Sequence, residues 1–295
     1  MIWSMEGRDT VVIGNPNAGR NKGEDHLKRY AEILRSGGLE VEVWPTEYPE
    51  HATELATLAG TRLVVAAGGD GTVNEVVNGL QRDATLAILP LGTANVMARE
   101  LGLPLKPEVA CERILAGRER RIDVGVVTNR EGTERRFTCM AGIGFDAHVV
   151  NGVSPGLKKY LKILAFPLAA LKVYAEEDLP PLHIFNGDRK YVTQFVIIAN
   201  GQYYGGDFQV AEDATLTTGK FEVVLVDNVS RLLRADILTR ILARQPLDQS
   251  MRSFATGEMR ATSPGAEVPV QIDGEVWGWL PMSFRIEPGA LNVVR

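Results

Sequence analysis

The sequence has little cysteine, no long apolar run and no excess of positive charge. Its two cysteines, Cys111 and Cys139, are far apart and lack the spacing of metal ligands, so we expect both to be reduced core residues. No apolar run approaches the roughly 20 residues of a membrane-spanning helix. The first residues do not follow the pattern of a signal peptide, so we expect a cytoplasmic protein. A formal net charge of −5 disfavours general nucleic-acid binding.

The remaining composition, 45% hydrophobic and 23% charged, is typical of a globular protein, and 295 residues suffice for two domains. Strand patterns alternate with helix patterns over residues 1–122, which predicts an α/β domain with a parallel sheet and ligands at the carboxyl ends of its strands. Over residues 123–285 strand patterns follow one another, which predicts a mostly antiparallel β domain. The strand patterns of this second part cover residues 122–128, 135–141, 189–199, 220–226, 267–273 and 282–287.

A glycine-rich turn follows the apolar strand pattern at residues 63–67 and reads Gly-Gly-Asp-Gly-Thr from Gly68 to Thr72. Thr72 and Glu75 have the spacing of a capping box, which predicts that the next helix begins at Thr72. Glycines let a ligand approach the backbone, and amides at a helix N-terminus attract anions. Asp70 would repel a phosphate unless a divalent cation lay between them, and it therefore indicates Mg²⁺. On these residues alone, a turn that only connects strand and helix is the alternative.

The common phosphate-binding loop Gly-x-x-x-x-Gly-Lys-Ser/Thr is absent. The Gly-Gly-Asp-Gly-Thr turn instead resembles that of the diacylglycerol kinase catalytic family, which includes bacterial lipid kinases, sphingosine kinases and ceramide kinases; NAD kinases share the turn. Three further segments resemble the family: the turn at 15–19, the Leu-Gly-Thr-x-Asn sequence at 91–95 and the Asp-Gly-Glu sequence at 273–275. The resemblance implies a Rossmann-like α/β nucleotide-binding domain, followed by a β-sandwich acceptor-binding domain, with residues 286–295 returning to the first domain.

The resemblance also implies an activity: transfer of the γ-phosphoryl group of ATP to a lipid hydroxyl, with Mg²⁺ held by Asp70. Asp273 is nominated as the base that takes the hydroxyl proton, and Asp70 is the alternative for that role. The implied nucleotide contacts are Asn15, Asn17, Gly19, Thr46, Gly68, Gly69, Asp70, Gly71, Thr72, Val73, Asn74, Thr93 and Glu275.

Two positions depart from the family pattern. Val96 stands where the family usually has Asp after the Leu-Gly-Thr-x-Asn sequence, and Thr218 stands where it usually has the Asp of an Asp-Gly pair. In some members that second Asp supports a structural metal, so we do not expect this metal here. The departures leave open a non-catalytic nucleotide sensor. A kinase for a soluble acceptor such as NAD is the other alternative.

The segment 156–174 has a helical pattern in which four lysines, Lys158, Lys159, Lys162 and Lys172, interleave with leucines and aromatic residues. Such a basic amphipathic helix can lie on an anionic membrane, which would place the protein at the inner membrane face. A helix that covers the β domain with solvated lysines is the alternative. A homodimer is a further expectation.

Overall fold

The computed structural model describes residues 6–16, 23–144, 147, 179–226 and 252–295. The chain divides into two compact units: residues up to Val124 together with Pro288–Arg295 form the first, and Gly125–Glu287 form the second. Asn17, Gly19 and the basic segment 156–174 lie outside the described residues. None of the helices in the described part of the chain is both long enough and apolar enough to cross a membrane.

The first unit is built on a parallel sheet. Its strands are β1 (Asp9–Gly14), β2 (Glu40–Pro45), β3 (Leu63–Gly68) and β4 (Thr85–Pro90), in the order β2-β1-β3-β4. Gly14 pairs in register with Pro45 and with Ala67, and Gly68 pairs with Pro90. The carboxyl ends of all four strands therefore meet at one edge, as predicted from the alternation of strands and helices.

Five helices accompany this sheet among the described residues of the first unit. They are α1 (Gly23–Ser36), α2 (His51–Ala59), α3 (Asp70–Gly79), α4 (Val96–Glu100) and α5 (Pro107–Leu115). Leu27, Tyr30 and Leu34 of α1 share one apolar cluster with Cys111 of α5 and with alternate residues of the strands. The apolar stripe of α1 thus forms one layer of the core against the sheet.

Helix α3 begins at Asp70, two residues earlier than the predicted capping box places it. Gly69 occupies the N-cap position and makes no side-chain cap hydrogen bond. The Oε2 atom of Glu75 instead accepts the backbone N–H of Ala52 at 3.2 Å, near the start of α2. The predicted capping box is therefore wrong, because Glu75 satisfies an amide of the neighbouring helix rather than one of its own.

The second unit contains a six-stranded antiparallel sheet. Its order is β14 (Arg252–Thr256), β13 (Phe221–Val226), β10 (Phe195–Ala199), β7 (Met140–Gly144), β16 (Pro269–Ile272) and β17 (Glu275–Trp279). A second layer contains β6 (Glu134–Phe137), β8 (Leu182–Asn186), β9 (Arg189–Thr193) and β15 (Glu258–Thr262). It also contains parts of two strands that continue into the first unit: β5 (Glu119–Thr128) from Gly125 onward and β18 (Met282–Val294) as far as Glu287. A short hairpin, β11 (Tyr203–Tyr204) with β12 (Phe208–Gln209), follows β10.

One apolar cluster joins the two layers of this unit. Ile143, Val196 and Val270 of the six-stranded sheet pack in it with Leu182 and Phe284 of the second layer. Residues on the inner faces alternate with outward residues along the strands, as two facing sheets require. The fold prediction, an α/β domain followed by a mostly antiparallel β-sandwich, is confirmed. The end of β18 returns to the first unit, where Asn292 pairs with Thr85 of β4.

The thiol of Cys111 is expected to be chemically inert in the folded protein. Burial, assisted by the nearby negative charge of Glu108, raises the pKa of the Cys111 thiol to about 11. Only the thiolate is a good nucleophile, and a raised pKa means that little thiolate exists at pH 8. Iodoacetamide at pH 8, followed by peptide mapping, should leave Cys111 unmodified in the native protein and alkylate it in urea. Rapid alkylation of Cys111 in the native protein would contradict its buried position in α5.

Candidate active site

The loops that leave the four parallel strands are tied to their neighbours by backbone hydrogen bonds. The N–H of Thr46, after β2, donates to the carbonyl of Gly14 at 2.9 Å. The N–H of Leu91, after β4, donates to the carbonyl of Gly68 at 2.8 Å. Adjacent loops are therefore fixed relative to one another at the carboxyl edge, where a ligand of such a sheet binds.

Two glycines bring the turn after β3 and the turn after β4 into direct contact. A Cβ atom placed on Gly92 would lie 2.5 Å from the Cα of Gly69, which is closer than real Cβ contacts come. A Cβ on Gly68 would overlap the Oγ1 atom of Thr72. A side chain at Gly92 would force the two turns apart, so this glycine is required by the close approach of two backbones. A side chain at Gly68 would displace the Thr72 side chain within the same turn.

Asp70 is the first residue of α3, and its carboxylate also reaches the start of α4. Its Oδ1 atom accepts the backbone N–H of Met97 at 3.4 Å. The first i to i−4 bond of α3 runs from Val73 N–H to the Gly69 carbonyl at 3.1 Å, so the amides of Gly71 and Thr72 precede the intrahelical ladder. A half-buried carboxylate thus stands beside helix amides that favour an anion.

Asn95 fixes the second turn, and sequence reasoning did not nominate it as a site residue. Its side-chain Oδ1 accepts the N–H of Gly92 at 2.9 Å, and its Nδ2 donates to the carbonyl of Gly92 at 3.1 Å. Its φ of 49° lies in the left-handed region, which asparagine tolerates better than most residues. The sequence feature that could have identified this residue is the asparagine at the end of the Leu-Gly-Thr-x-Asn sequence. Thr93, inside this turn, is exposed.

Most of the residues that were predicted to contact the nucleotide, and that the structure describes in the first unit, lie at this edge. Those at the edge are Asn15, Thr46, Gly68, Gly69, Asp70, Gly71, Thr72 and Thr93. Val73 and Asn74 lie further along α3, and their nucleotide contacts stay predictions. The Val73 side chain is buried, and the Val73 N–H donates to the Gly69 carbonyl. The Asn74 side chain is also buried, and its Oδ1 accepts a hydrogen bond from the Nδ2 of Asn78 at 3.2 Å.

Asp273 lies in the turn between β16 and β17 of the second unit, and its carboxylate is surrounded by donors. Oδ1 accepts the N–H groups of Cys139 at 2.9 Å and Met140 at 3.0 Å. Oδ2 accepts the N–H of Thr138 at 2.8 Å and the Thr138 hydroxyl at 3.1 Å. These donors stabilise the ionised form of the carboxylate, and the base role of Asp273 stays a prediction.

The other predicted residues of the second unit have simpler surroundings. Glu275, the first residue of β17, is exposed. The Thr218 hydroxyl donates within its own turn, to the Lys220 carbonyl at 3.0 Å. Within residues 6–16, 23–144, 147, 179–226 and 252–295, no group of three or more His, Cys, Asp or Glu side chains is arranged to hold a metal ion.

Fold and site together define a two-domain protein with a glycine-rich strand-to-helix edge followed by a β-sandwich. The chain matches the model of the diacylglycerol kinase catalytic domain over residues 9–127. Over residues 139–295 it matches the model of the YegS C-terminal NAD kinase beta sandwich-like domain. The chain belongs to the diacylglycerol kinase catalytic family.

Named relatives extend this similarity over nearly the whole chain. The diacylglycerol kinase of Bacillus subtilis is 29% identical, over 92% of this chain and 91% of its own. The probable lipid kinase YegS-like of Pseudomonas aeruginosa strain UCBPP-PA14 is 30% identical, over 93% and 91%. The crystal structure of a diacylglycerol kinase from Bacillus anthracis superposes with a TM-score of 0.77 at 22% identity, covering 97% of this chain and 96% of that one, and supports the fold.

Proposed function

We propose that the protein is an Mg²⁺-dependent lipid kinase that transfers the γ-phosphoryl group of ATP to a lipid hydroxyl, with a diacylglycerol-like acceptor. The observation that carries the proposal is Asp70. Its carboxylate stands at the start of α3 and accepts the Met97 amide at the start of α4. Names of the relatives, diacylglycerol kinase and lipid kinase, support the acceptor class.

The nucleotide phosphates are proposed to bind along the edge formed by Asn15, Thr46, Gly68–Thr72 and Thr93. Amides of Gly71 and Thr72 would donate to phosphate oxygens, and the absence of side chains at Gly69 and Gly92 would let the phosphates approach the backbone. Such positioning and charge stabilisation account for most of the catalysis of phosphoryl transfer, which demands little covalent chemistry from the protein.

The residues fit a magnesium ion shared with the nucleotide. Mg²⁺ keeps several waters and is usually bound by one or two carboxylates together with substrate phosphates, rather than by an all-protein cage. Asp70 supplies one such carboxylate, and its Oδ1 accepts the Met97 N–H at 3.4 Å. When bound, the ion would neutralise phosphate charge and allow Asp70 to lie beside the anion.

Incubation with radiolabelled ATP, Mg²⁺ and a total bacterial lipid extract tests the proposal. We expect a labelled lipid that is absent when the Asp70→Ala variant replaces the intact protein. NAD is supplied in a parallel reaction. Phosphorylation of NAD alone would replace the lipid acceptor by a soluble one, and nucleotide binding without transfer to any acceptor would favour a sensor. Peripheral contact with the inner membrane face and a homodimer stay predictions.

A further inference from the structure

Helix α2 begins without a side-chain cap from its own N-cap residue. That residue, Glu50, has a φ of 66° and makes no side-chain cap hydrogen bond. The first amides of a helix have no intrahelical partner, and an N-cap side chain usually accepts the one at the second or third helical position. Here Glu75 of α3 accepts the N–H of Ala52, the second residue of α2, at 3.2 Å. Glu75 therefore takes the place of an N-cap side chain, and its negative charge suits the positive end of the α2 dipole.

Helix α2 also packs closely on α3 beyond this cap. The Thr53 hydroxyl donates to the Glu75 carbonyl at 2.9 Å, and one turn later the Thr57 hydroxyl donates to the Gly79 carbonyl at 3.2 Å. A Cβ atom placed on Gly79 would overlap the Thr53 carbonyl oxygen, so the two backbones meet there without room for a side chain. The position of α2 is therefore set by its contacts with α3.

The loop 46–50 leads from the carboxyl edge of the sheet into α2. At its start the N–H of Thr46 donates to the end of β1 at 2.9 Å. Further along, the N–H of Glu47 donates to the Nδ1 atom of His51 at 3.1 Å, and the rings of Tyr48 and His51 stack with their centroids 4.2 Å apart. The loop is thus held on the first residue of α2, so a displacement of that helix would also displace the loop.

Helix α3 presents two carboxylates to the starts of two other helices. Asp70 accepts the N–H of Met97 in α4 at 3.4 Å, and Glu75 accepts the N–H of Ala52 in α2 at 3.2 Å. Helix α4 follows the turn after β4, and α2 follows the loop after β2. Both connections at the carboxyl edge are thereby tied to the helix that begins in the glycine-rich turn.

We infer that Glu75 is a positioning residue for the nucleotide: by capping α2, its side chain fixes loop 46–50 relative to the amides at the start of α3. The effect on the nucleotide rests on the proposed function, in which Thr46 and residues 68–72 contact the same molecule. The hydrogen bonds that define the role are independent of that function.

Two substitutions of Glu75 separate its hydrogen bond from its charge. Glu75→Ala removes the acceptor of the Ala52 amide, whereas Glu75→Gln removes the charge and keeps an oxygen that can accept the same N–H. Thr53→Ala is a milder change at the same contact, because it removes only the hydroxyl that donates to the Glu75 carbonyl. Glu112→Ala is the matched control, since Glu112 is an exposed glutamate of α5 in the same unit.

Hydrogen exchange followed by mass spectrometry tests the cap without reference to activity. In Glu75→Ala, the peptide that covers the start of α2 should exchange on the order of fivefold faster, because loss of an N-cap side chain weakens a helix start by about this factor. Glu75→Gln and Glu112→Ala should match the wild type. Unchanged exchange in Glu75→Ala would show that Glu75 does not hold α2, and the inference would be wrong.

Calorimetry with ATP and steady-state kinetics then test the positioning. A change that weakens an interaction made equally in the ground state and the transition state raises KM and leaves kcat unchanged. We expect Glu75→Ala to raise Kd and KM for ATP on the order of tenfold, less than the 10²-fold that a misplacement of about 1 Å can cost, with kcat near that of the wild type. Thr53→Ala should raise KM to a smaller extent, and Glu75→Gln should recover most of the affinity.

The variants also distinguish failure of this inference from failure of the proposed function. If Glu75→Gln is impaired as much as Glu75→Ala, the charge rather than the hydrogen bond is what matters, and the positioning role is wrong. Wild-type binding of ATP that Glu75→Ala leaves unchanged contradicts the inference alone. If the wild type binds no ATP, the proposed function fails and the inference fails with it.

Discussion

Asp70→Asn is expected to lower kcat for phosphoryl transfer on the order of 10³-fold, the scale of losing a preorganised electrostatic contact to the transferring group. The substitution keeps the size of the side chain, and the asparagine oxygen can still accept the Met97 amide that Asp70 accepts at 3.4 Å. The geometry of α3 and α4 is therefore preserved while the charge is lost. The defect should appear in catalysis and in the magnesium requirement rather than in folding.

Asp83→Asn serves as the control for this experiment. Asp83 is exposed in the segment between α3 and β4 of the same unit, so its neutralisation changes the net charge equally without touching the strand-to-helix edge. Steady-state rates at increasing Mg²⁺ and the thermal midpoint would be measured for both variants. Near-wild-type kcat in Asp70→Asn would mean that the charge at this turn does not serve the reaction.

The fold of the first unit could largely be predicted from the sequence, because the patterns that indicate its strands and helices are local. Short apolar runs such as 63–67 and 85–89, separated by helix patterns, indicate buried strands of a parallel sheet. The loops that follow parallel strands then lie at one edge of the sheet. What the sequence could not show is how Glu75 is used. Its spacing from Thr72 fits a local cap, but its carboxylate satisfies Ala52 of another helix, and a contact over 23 residues leaves no local pattern.

Less of the second unit could be predicted from the sequence, because its strands are short and partly polar. β15 (Glu258–Thr262) and β17 (Glu275–Trp279) were not predicted, since charged and glycine residues interrupt the apolar alternation. Asp273 shows the same limit at the level of the site. Its sequence neighbours indicate a turn and the family resemblance nominates a base, yet its contacts come from residues more than 130 positions away. Long-range hydrogen bonds of this kind are set by tertiary packing.

Gly92→Ala is expected to damage nucleotide use far more than Gly69→Ala, although the two glycines face each other. A Cβ on Gly92 would lie 2.5 Å from the Gly69 Cα and 2.7 Å from the Asn95 Oδ1, whereas a Cβ on Gly69 would meet the Gly92 Cα at 3.3 Å. The first contact cannot be relieved without moving the backbone of α3's first turn. The second requires only a shift of a few tenths of an ångström.

A displaced turn misplaces the amides that the phosphates need, and a shift of about 1 Å can cost 10²-fold. We therefore expect kcat/KM for ATP to fall on the order of 10²-fold in Gly92→Ala, with overpacking lowering stability by about 1–3 kcal/mol. Gly69→Ala should lose less activity than Gly92→Ala, because Gly69 has an extended conformation, φ −94° and ψ −171°, that alanine adopts without strain. Equal kcat/KM values and equal thermal midpoints for the two variants would show that the turns do not meet in the way the structure describes.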